Sequence, residues 1–262
     1  MEQEFSADAF DGLQFVSQSP VRITFLLELS ENGPMSRCDL RETVDASRTT
    51  VSRNLDALVE RGWVDEAGAT YRVTPGGELR ASALESYLST AEAADRLEPF
   101  FRWFPMDGVE VEWEWFLDAA VYPSTSADPY APVDRHAERL ETAERLHALL
   151  PQVGLRPMQS IGRERDDFEH ELVVSPSVAE TLRSERKYVE ERAALDERGR
   201  VSFYVSEEPI RTYVGLFEDD VQIGVSDGDG VPRALVETDD ERVRRWARET
   251  YDRHRSDAEL LC

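Results

Sequence analysis

The stretch "DASRTTVSRNLDALVERGWV", Asp45 to Val64, decides how the chain is read. Ser47 is placed to cap a helix. Val51, Leu55, Leu58 and Val59 then fall at i, i+4, i+7 and i+8, a stripe that faces a core. Arg48, Thr49, Ser52 and Arg53 lie away from that stripe, and no acid occurs between Ser47 and Leu55. Gly62 ends the helix, and "WVDEAGATYRVT" supplies two strand-like runs separated by Gly68, the pattern of a hairpin.

Upstream, "SPVRITFLLELSENGP" has Ser19 as cap, Pro20 at the first helical position and Gly33-Pro34 as stop. "MSRCDLRETV" starts on Ser36 with Asp39 three residues on, a capping-box spacing, and sets Leu40 and Val44 on one face. Asp45-Ala46 is the short turn before the third helix. Helix, helix, turn, helix and hairpin is the order of a winged helix-turn-helix over residues 1–75.

A helix that reads DNA needs small polar and basic side chains near its N-terminus, because these reach base edges and phosphates in the major groove. Ser47, Arg48, Thr49, Thr50, Ser52, Arg53 and Asn54 supply them, with Ser36 at the head of the preceding helix. Arg48 or Arg53 suits bidentate pairing with guanine. Asn54 suits adenine if it faces outward, although its place is nearer the core face. Arg72 in the hairpin reads either as a wing contact or as an ordinary surface arginine. A merely solvated helix is the plainer reading; the helical spacing, the acid-free outer face and the following hairpin together argue against it.

The charge of the whole chain looks like an objection. There are 54 acids against 30 bases, a formal net charge of -24, and Lys187 is the only lysine. The acids are spread along the chain and are not gathered into a tail. Such a diffuse acidic coat is what proteins of a molar-salt cytoplasm carry. At about 1 M salt the Debye length is about 3 Å, so most self-repulsion is screened. The charge therefore reports on solvent and does not exclude a polyanionic partner. No run approaches the roughly 18 to 20 apolar residues of a membrane helix, and "MEQEFSADAFDG" lacks a signal-peptide profile, so a cytoplasmic protein without a membrane partner is expected. Cys38 and Cys262 offer neither metal spacing nor a disulfide framework; Cys38 reads as a small buried helix residue.

From Pro75 an alanine-rich run to Phe104 reads as a long helix, with Leu84, Leu88, Ala91 and Leu97 on one side. Residues 76–104 are assigned as a connector or dimer seam, with a plain packed helix as the equal alternative to the seam. Residues 105–262 then mix strands and helices. "VEVEWEWFLDAAVYPS" reads as one strand or two, and "PVDRHAERLETAERLHALLP" as a single amphipathic helix between prolines. Leu172 to Ser175 reads as a strand leading into a helix at Ser175-Pro176. Helix, three strands, a turn at Asp227–Gly230, a strand and a last helix follow. The fold class is thus mixed: an α+β winged helix, a connecting helix and a C-terminal α/β domain.

"SRTTVSRNLDALVERGWV" resembles the recognition helix and wing start of archaeal winged-helix transcriptional regulators. "FLDAAVYPSTSADPYAPVDRHAERL", "ELVVSPSVAETL" and "YVGLFEDDVQIGVSDGDGVPRALVETDDERVRRWARETY" resemble the effector half of haloarchaeal regulators. These are related to the methanogenesis-regulator family and, more distantly, to the TrmB-like regulators. The resemblance spans nearly the whole chain. It implies a homodimeric, cytoplasmic transcription factor bound to double-stranded DNA, with a small-molecule effector or partner acting on the C-terminal domain.

The TrmB-like resemblance also brings a phospholipase D-like fold into view, whose chemistry needs an H-x-K pattern. None of His136, His147, His170 and His254 has lysine two places on. His136 and His147, if on one helix, stand about 16 Å apart along its axis, too far to share a metal, and read as surface or boundary residues. "DGDG" lacks the spacing of a calcium loop and reads as a hairpin turn. "GRERDD" and "RVRRWARE" interleave acid with base, as solvated faces do. No catalytic residue, metal or cofactor is expected. Tyr204, Arg211 and Tyr213 are candidates for effector contact, with sheet packing as the plainer role. The alternative function is a winged-helix module that docks protein and binds no specific DNA sequence.

Overall fold

The computed structural model describes residues 6–106, 109–164 and 167–261. The chain divides into two compact units, Met1–Glu92 and Ala93–Cys262. The first holds α1 (Ala7–Ser17), α2 (Pro20–Asn32), β1 (Met35–Ser36), α3 (Arg37–Glu42), α4 (Arg48–Glu60), β2 (Val64–Ala67) and β3 (Thr70–Val73). The long α5 (Pro75–Phe101) begins there. The expected order of helices and hairpin is present, with β1 joining the hairpin in a sheet of order β1-β3-β2. Gly68, at φ 66, makes the tight turn, a left-handed conformation that a side chain disfavours.

One helix lies outside the sequence reading. α1 is capped by Ser6, and its Phe15 meets Trp63 edge-on at 5.3 Å. Ser19 and Pro20 start α2 as expected, although Ser19 makes no capping hydrogen bond. Cys38 is exposed, contrary to the buried place expected for it: Leu40, fully buried, takes the inward face of this short helix. Cys262 and part of the Gly162–Asp167 run lie outside the described residues.

The second unit continues with a 3-10 turn at Trp113–Phe116, then β4 (Ala120–Pro123), α6 (Ala131–Thr142), β5 (Arg145–Leu150), α7 (Leu155–Ser160) and β6 (Glu169–Val174). There follow α8 (Pro176–Ser184), α9 (Arg186–Arg198), β7 (Val201–Val205), β8 (Tyr213–Leu216), β9 (Val221–Ser226), β10 (Pro232–Thr238), α10 (Glu241–Ser256) and β11 (Glu259–Leu260). The strands form one sheet of order β11-β7-β6-β5-β8-β9-β10-β4. β5, β6 and β7 are parallel, and β8, β9, β10 and β4 are antiparallel neighbours. Side chains alternate between faces. Leu149, Val173, Val214 and Ile223 pack with α10 and the end of α5, whereas Leu146, Ala148, Leu172 and Phe203 pack with α6 to α9.

Two sequence expectations change here. The supposed single helix from Pro132 to Pro151 is α6 followed by β5: Ala143 turns to extended backbone at φ -65, ψ 128, and β5 then pairs on both sides. His147 accordingly sits on a strand, where it stacks on Tyr251 at 5.1 Å. The Val109–Ser124 stretch, read as one strand or two, gives one, β4, and its alternating part, Val109–Phe116, is not a strand. Its Val109, Val111 and Trp115 pack on the core, and alternate burial arises without strand pairing.

His170, on β6, is 1% exposed. Its Nε2 faces the Ala143 carbonyl at 3.4 Å, Nδ1 has no partner among the described residues, and Phe168 lies 5.1 Å away. Burial pushes its pKa down to about 4, opposed by the Ala143 carbonyl and Glu218 and aided by repulsion from His136. Its folded-state pKa thus lies below the unfolded value of about 6.5, so the unfolded chain takes up the proton first. The contribution to stability is complete above about pH 6.5 and is lost as pH falls towards 4, at up to about 1.4 kcal/mol per pH unit. Urea unfolding across that window should show the midpoint falling with pH, and His170→Leu should reduce the slope, leaving the share that His136 contributes through the same shift. A slope unchanged by the substitution would remove His170 as its source.

Candidate nucleic-acid interface

The face of α4 is built from its cap inward. Ser47 accepts a hydrogen bond from the Thr50 amide at 3.2 Å and pairs with the Thr50 hydroxyl at 3.0 Å. Val51, Leu55 and Leu58 are buried, and the same rotation leaves Arg48, Thr49 and Arg53 exposed, with Thr50 and Ser52 half-buried. Among the described residues, no acid pairs with Arg48 or Arg53.

Asn54 departs from the expected outward set. It is 2% exposed; its amide donates to the Thr50 carbonyl at 2.9 Å and its oxygen accepts from Arg22 Nε at 2.9 Å. A side chain so committed does not reach adenine. Arg22 also donates to the Phe15 carbonyl and lies 4.0 Å over the Phe15 ring. Burial lowers its pKa, and the like charges of Arg53 and Arg61 lower it further, so three guanidinium groups share one neighbourhood.

Ser36 is an N-cap in full: its oxygen accepts from the Asp39 amide at 3.2 Å, and its own amide donates to the Asp39 carboxylate at 3.0 Å. Arg72, in the hairpin, is exposed and meets Asp65 at 3.4 Å, a solvated pair of the kind worth at most about 1 kcal/mol. Sequence reading missed Arg37. From α3 it donates to Ser52 at 3.3 Å and to the Tyr71 hydroxyl at 3.1 Å. Tyr71 in turn donates to Glu66 at 3.0 Å. This chain fastens α3, α4 and the hairpin together, and no periodicity announces it.

The C-terminal candidates do not converge. β7, which carries Tyr204, and β8, which begins at Tyr213, are separated in the sheet by β6 and β5. Tyr204 packs on the α10 side, under Arg255 at 3.5 Å, whereas Tyr213 packs on the α6 side. Arg211 is exposed beside Ile210, Trp246 and His254. Chain neighbours were separated because strand order in the sheet is not chain order. Tyr213 instead meets His136, with ring centroids 4.6 Å apart, and burial pushes its phenol well above its ordinary pKa. His136, expected at the surface or boundary, is half-buried. Asp227–Gly230 is the β9–β10 turn, with Asp227 accepting from the Asp229 and Val231 amides at 3.0 and 2.9 Å. Among the described residues no His, Cys, Asp and Glu cluster is able to hold a metal, and no helix is long and apolar enough to cross a membrane.

Residues 10–96 match the family model of the HVO_A0261 N-terminal domain, and residues 129–257 match that of the middle domain of the methanogenesis regulatory protein FilR1. No curated protein matches the chain. Among solved structures, the archaeal chromatin protein TrmBL2 is similar at 14% identity and TM-score 0.41, covering 97% of this chain and 99% of that one. RHA06195, a transcriptional regulator of Rhodococcus sp. RHA1, follows at 15% identity and TM-score 0.27, covering 91% and 97%. The dimethyltransferase RosA of Streptomyces davawensis gives 13% identity and TM-score 0.24, covering 78% and 68%. These TM-scores are too low to establish a shared fold.

Asn54→Ala would leave the Arg22 Nε without its acceptor, a loss of about 1–3 kcal/mol. Thermal unfolding of the variant should register that loss. If Asn54→Ala folds with unchanged stability, the Arg22 contact does not hold α4 in place.

Proposed function

We propose that this chain, which joins an HVO_A0261-type N-terminal domain to a FilR1-type middle domain, is a transcriptional regulator that binds specific DNA through α4. The observation that carries the reading is the outward Arg48–Thr49–Arg53 face, unpaired among the described residues in a chain where acids outnumber bases by 54 to 30. Its supports are the cap at Ser47, which sets the positive helix end towards a phosphate, and the hairpin that acts as the wing. Arg48 and Arg53 read base edges; Thr49 and the α4 amides position the backbone. Arg72 reaches phosphate by exchanging Asp65, and Ser36 and Ser47 serve as caps behind the contact.

At the molar salt that suits so acidic a protein, counterion release contributes little and phosphate contacts weaken. Selectivity then rests on base contacts and on the spacing of two copies. α5 supports a dimer: Leu79 and Tyr87 are 76% and 67% exposed, and Leu88 and Ala91 are only half-covered. Two α4 helices about 34 Å apart fit a palindromic site. The C-terminal α/β domain is the sensing part, and a ligand shifts the DNA-competent population only through unequal affinity for two states.

Footprinting of genomic fragments should reveal selective protection. Arg53→Ala and Arg48→Ala should each weaken it by about 1–3 kcal/mol and relax the preference at one base per half-site. A wild-type protein that protects no sequence ends the DNA reading and favours a protein-docking module.

Leu88→Glu places a charge on the half-covered α5 side without touching either core. Sedimentation should show monomer where the wild type is dimer, with weaker operator binding; a wild type that sediments as monomer removes the seam.

A further inference from the structure

Over the α6–α7 side of the sheet lies a cavity of about 350 Å³, walled by Leu140, Leu146, Met158, Phe203, Val225 and Leu235 among others. β5 is the strand at which sheet order reverses, with β6 and β7 on one side and β8 to β10 on the other. The segment leaving its carboxyl end, from Pro151 to Gly154, forms part of the wall. Ligands of open α/β sheets bind at such a switch point. No Arg, Lys, Asp or Glu lines the cavity.

Four polar side chains line it, Gln152, Ser226, His136 and Tyr213, and the last two are placed together. Tyr213 lies flat along the sheet because Gly215 has no side chain: a Cβ there would fall 2.1 Å from the phenol oxygen. Gly224 backs the same ring. The phenol oxygen lies 3.2 Å from His136 Nδ1, and Nδ1 is 2.9 Å from Gln222 Oε1. Gln222, fully buried, donates through Nε2 to Glu237 at 2.8 Å, and Glu237 is held by Arg135 at 3.1 Å.

This chain has one direction. A carboxylate only accepts, so the Gln222 amide group faces Glu237 and its oxygen faces His136. His136 must then carry its hydrogen on Nδ1, which assigns the tautomer. Burial lowers its pKa to about 4, so the ring is neutral and Nε2 is a bare lone pair. Nε2 has no partner among the described residues, and the ring is part of the cavity lining. The Tyr213 oxygen shares the Nδ1 hydrogen, and its own O–H remains to donate. One acceptor beside one donor, in an uncharged and mostly apolar chamber, is the complement of a hydroxyl group.

We propose that this cavity binds a neutral one- or two-ring apolar molecule bearing a hydroxyl, a phenol or alicyclic alcohol. The ligand's O–H donates to His136 Nε2 and its oxygen accepts from Tyr213. A dry aliphatic cavity of about 150 Å³ already takes a benzene ring, so this volume holds a ring with substituents or a second ring. That the ligand is an effector rests on the regulator reading; that it binds rests on the cavity alone.

The test uses the full chain and three matched probes, 4-ethylphenol, ethylbenzene and 4-ethylbenzoate, titrated by calorimetry and thermal shift. 4-Ethylphenol should bind tenfold or more tightly than ethylbenzene, and the benzoate should not bind. His136→Phe should abolish that preference while ethylbenzene still binds. Tyr213→Phe removes a single oxygen, keeps the ring on Gly215 and should reduce the preference several-fold, so it carries the test if His136→Phe does not fold. Equal binding of ethylbenzene, tighter binding of the benzoate, or no binding of 4-ethylphenol at millimolar concentration overturns the proposal. Adding 4-ethylphenol to the protein–DNA complex separates the two readings. Binding to the protein with unaltered DNA affinity overturns the effector role alone, and binding by a protein that holds no DNA overturns the regulator reading while the cavity assignment stands.

Discussion

A buried carboxamide has to be paired on both ends, and two of them set the geometry of this protein. Leaving a buried donor or acceptor unpaired costs about 1–3 kcal/mol, so the pairing fixes how the surrounding elements rotate. In the first unit Asn54, 2% exposed, bonds its own helix through Thr50 and receives Arg22 from α2. That bond pins α4 about its axis, and the pin is what turns Arg48, Thr49 and Arg53 outward. In the second unit Gln222 bonds Glu237 on the adjoining strand and His136 on α6. It pins α6 against the sheet and orients the imidazole beside the cavity. Each candidate site thus stands one residue away from a buried amide that is not itself part of the contact.

The acidic composition is read locally by the same logic. Arginine forks carboxylates bidentately and is more weakly hydrated than lysine, and the second unit uses several arginines so. Arg139 holds Glu218 and Asp220, each at 3.2 Å, and Arg255 holds Glu171 at 2.9 Å. Arg233 closes the Asp227 turn. These half-buried pairs fix loops and helix ends to the sheet. In the first unit Arg22, Arg37 and Arg61 are likewise engaged. Arg48 and Arg53 differ in lying exposed on a helix face that has no acid from Ser47 to Leu55. The sign of the whole chain matters less than where along it the acids are absent.

What the sequence disclosed follows from how local each signal is. Caps are local, and Ser36 and Ser47 are where their spacing put them. The stripe of Val51, Leu55 and Leu58 is a helical period and became the core face. β5 escaped because Arg145-Leu-His-Ala-Leu-Leu150 contains no β-branched residue and follows a helix without glycine or proline to break it. Helix propensity is a weak prior, and pairing with β6 and β8 on both sides overrode it. The grouping of Tyr204 with Tyr213 failed for a related reason: sheet order and side-chain alternation are tertiary, and one residue of phase sends a side chain to the other face. The partner of Tyr213 was His136, from α6, and neither spacing nor composition links the two.

Both candidate sites obey one division of labour. In each, apolar packing supplies most of the stability and a very small number of polar groups supplies selectivity. On α4 the hydrophobic stripe holds the helix, and two arginines and a threonine do the reading. In the cavity, aliphatic walls favour apolar ligands without distinguishing among them. One methylene more or less is worth only about 1–3 kcal/mol there, whereas a site built around a hydroxyl rejects its deoxy analogue far more strongly. The strength of that rejection depends on how rigidly the polar pair is held. His136 is fixed through Gln222, Glu237 and Arg135, and Tyr213 is fixed by lying against Gly215 and Gly224, which have no Cβ to lift it from the sheet. Neither group can turn to satisfy itself when an apolar molecule enters, and that rigidity is what converts a greasy cavity into a selective one.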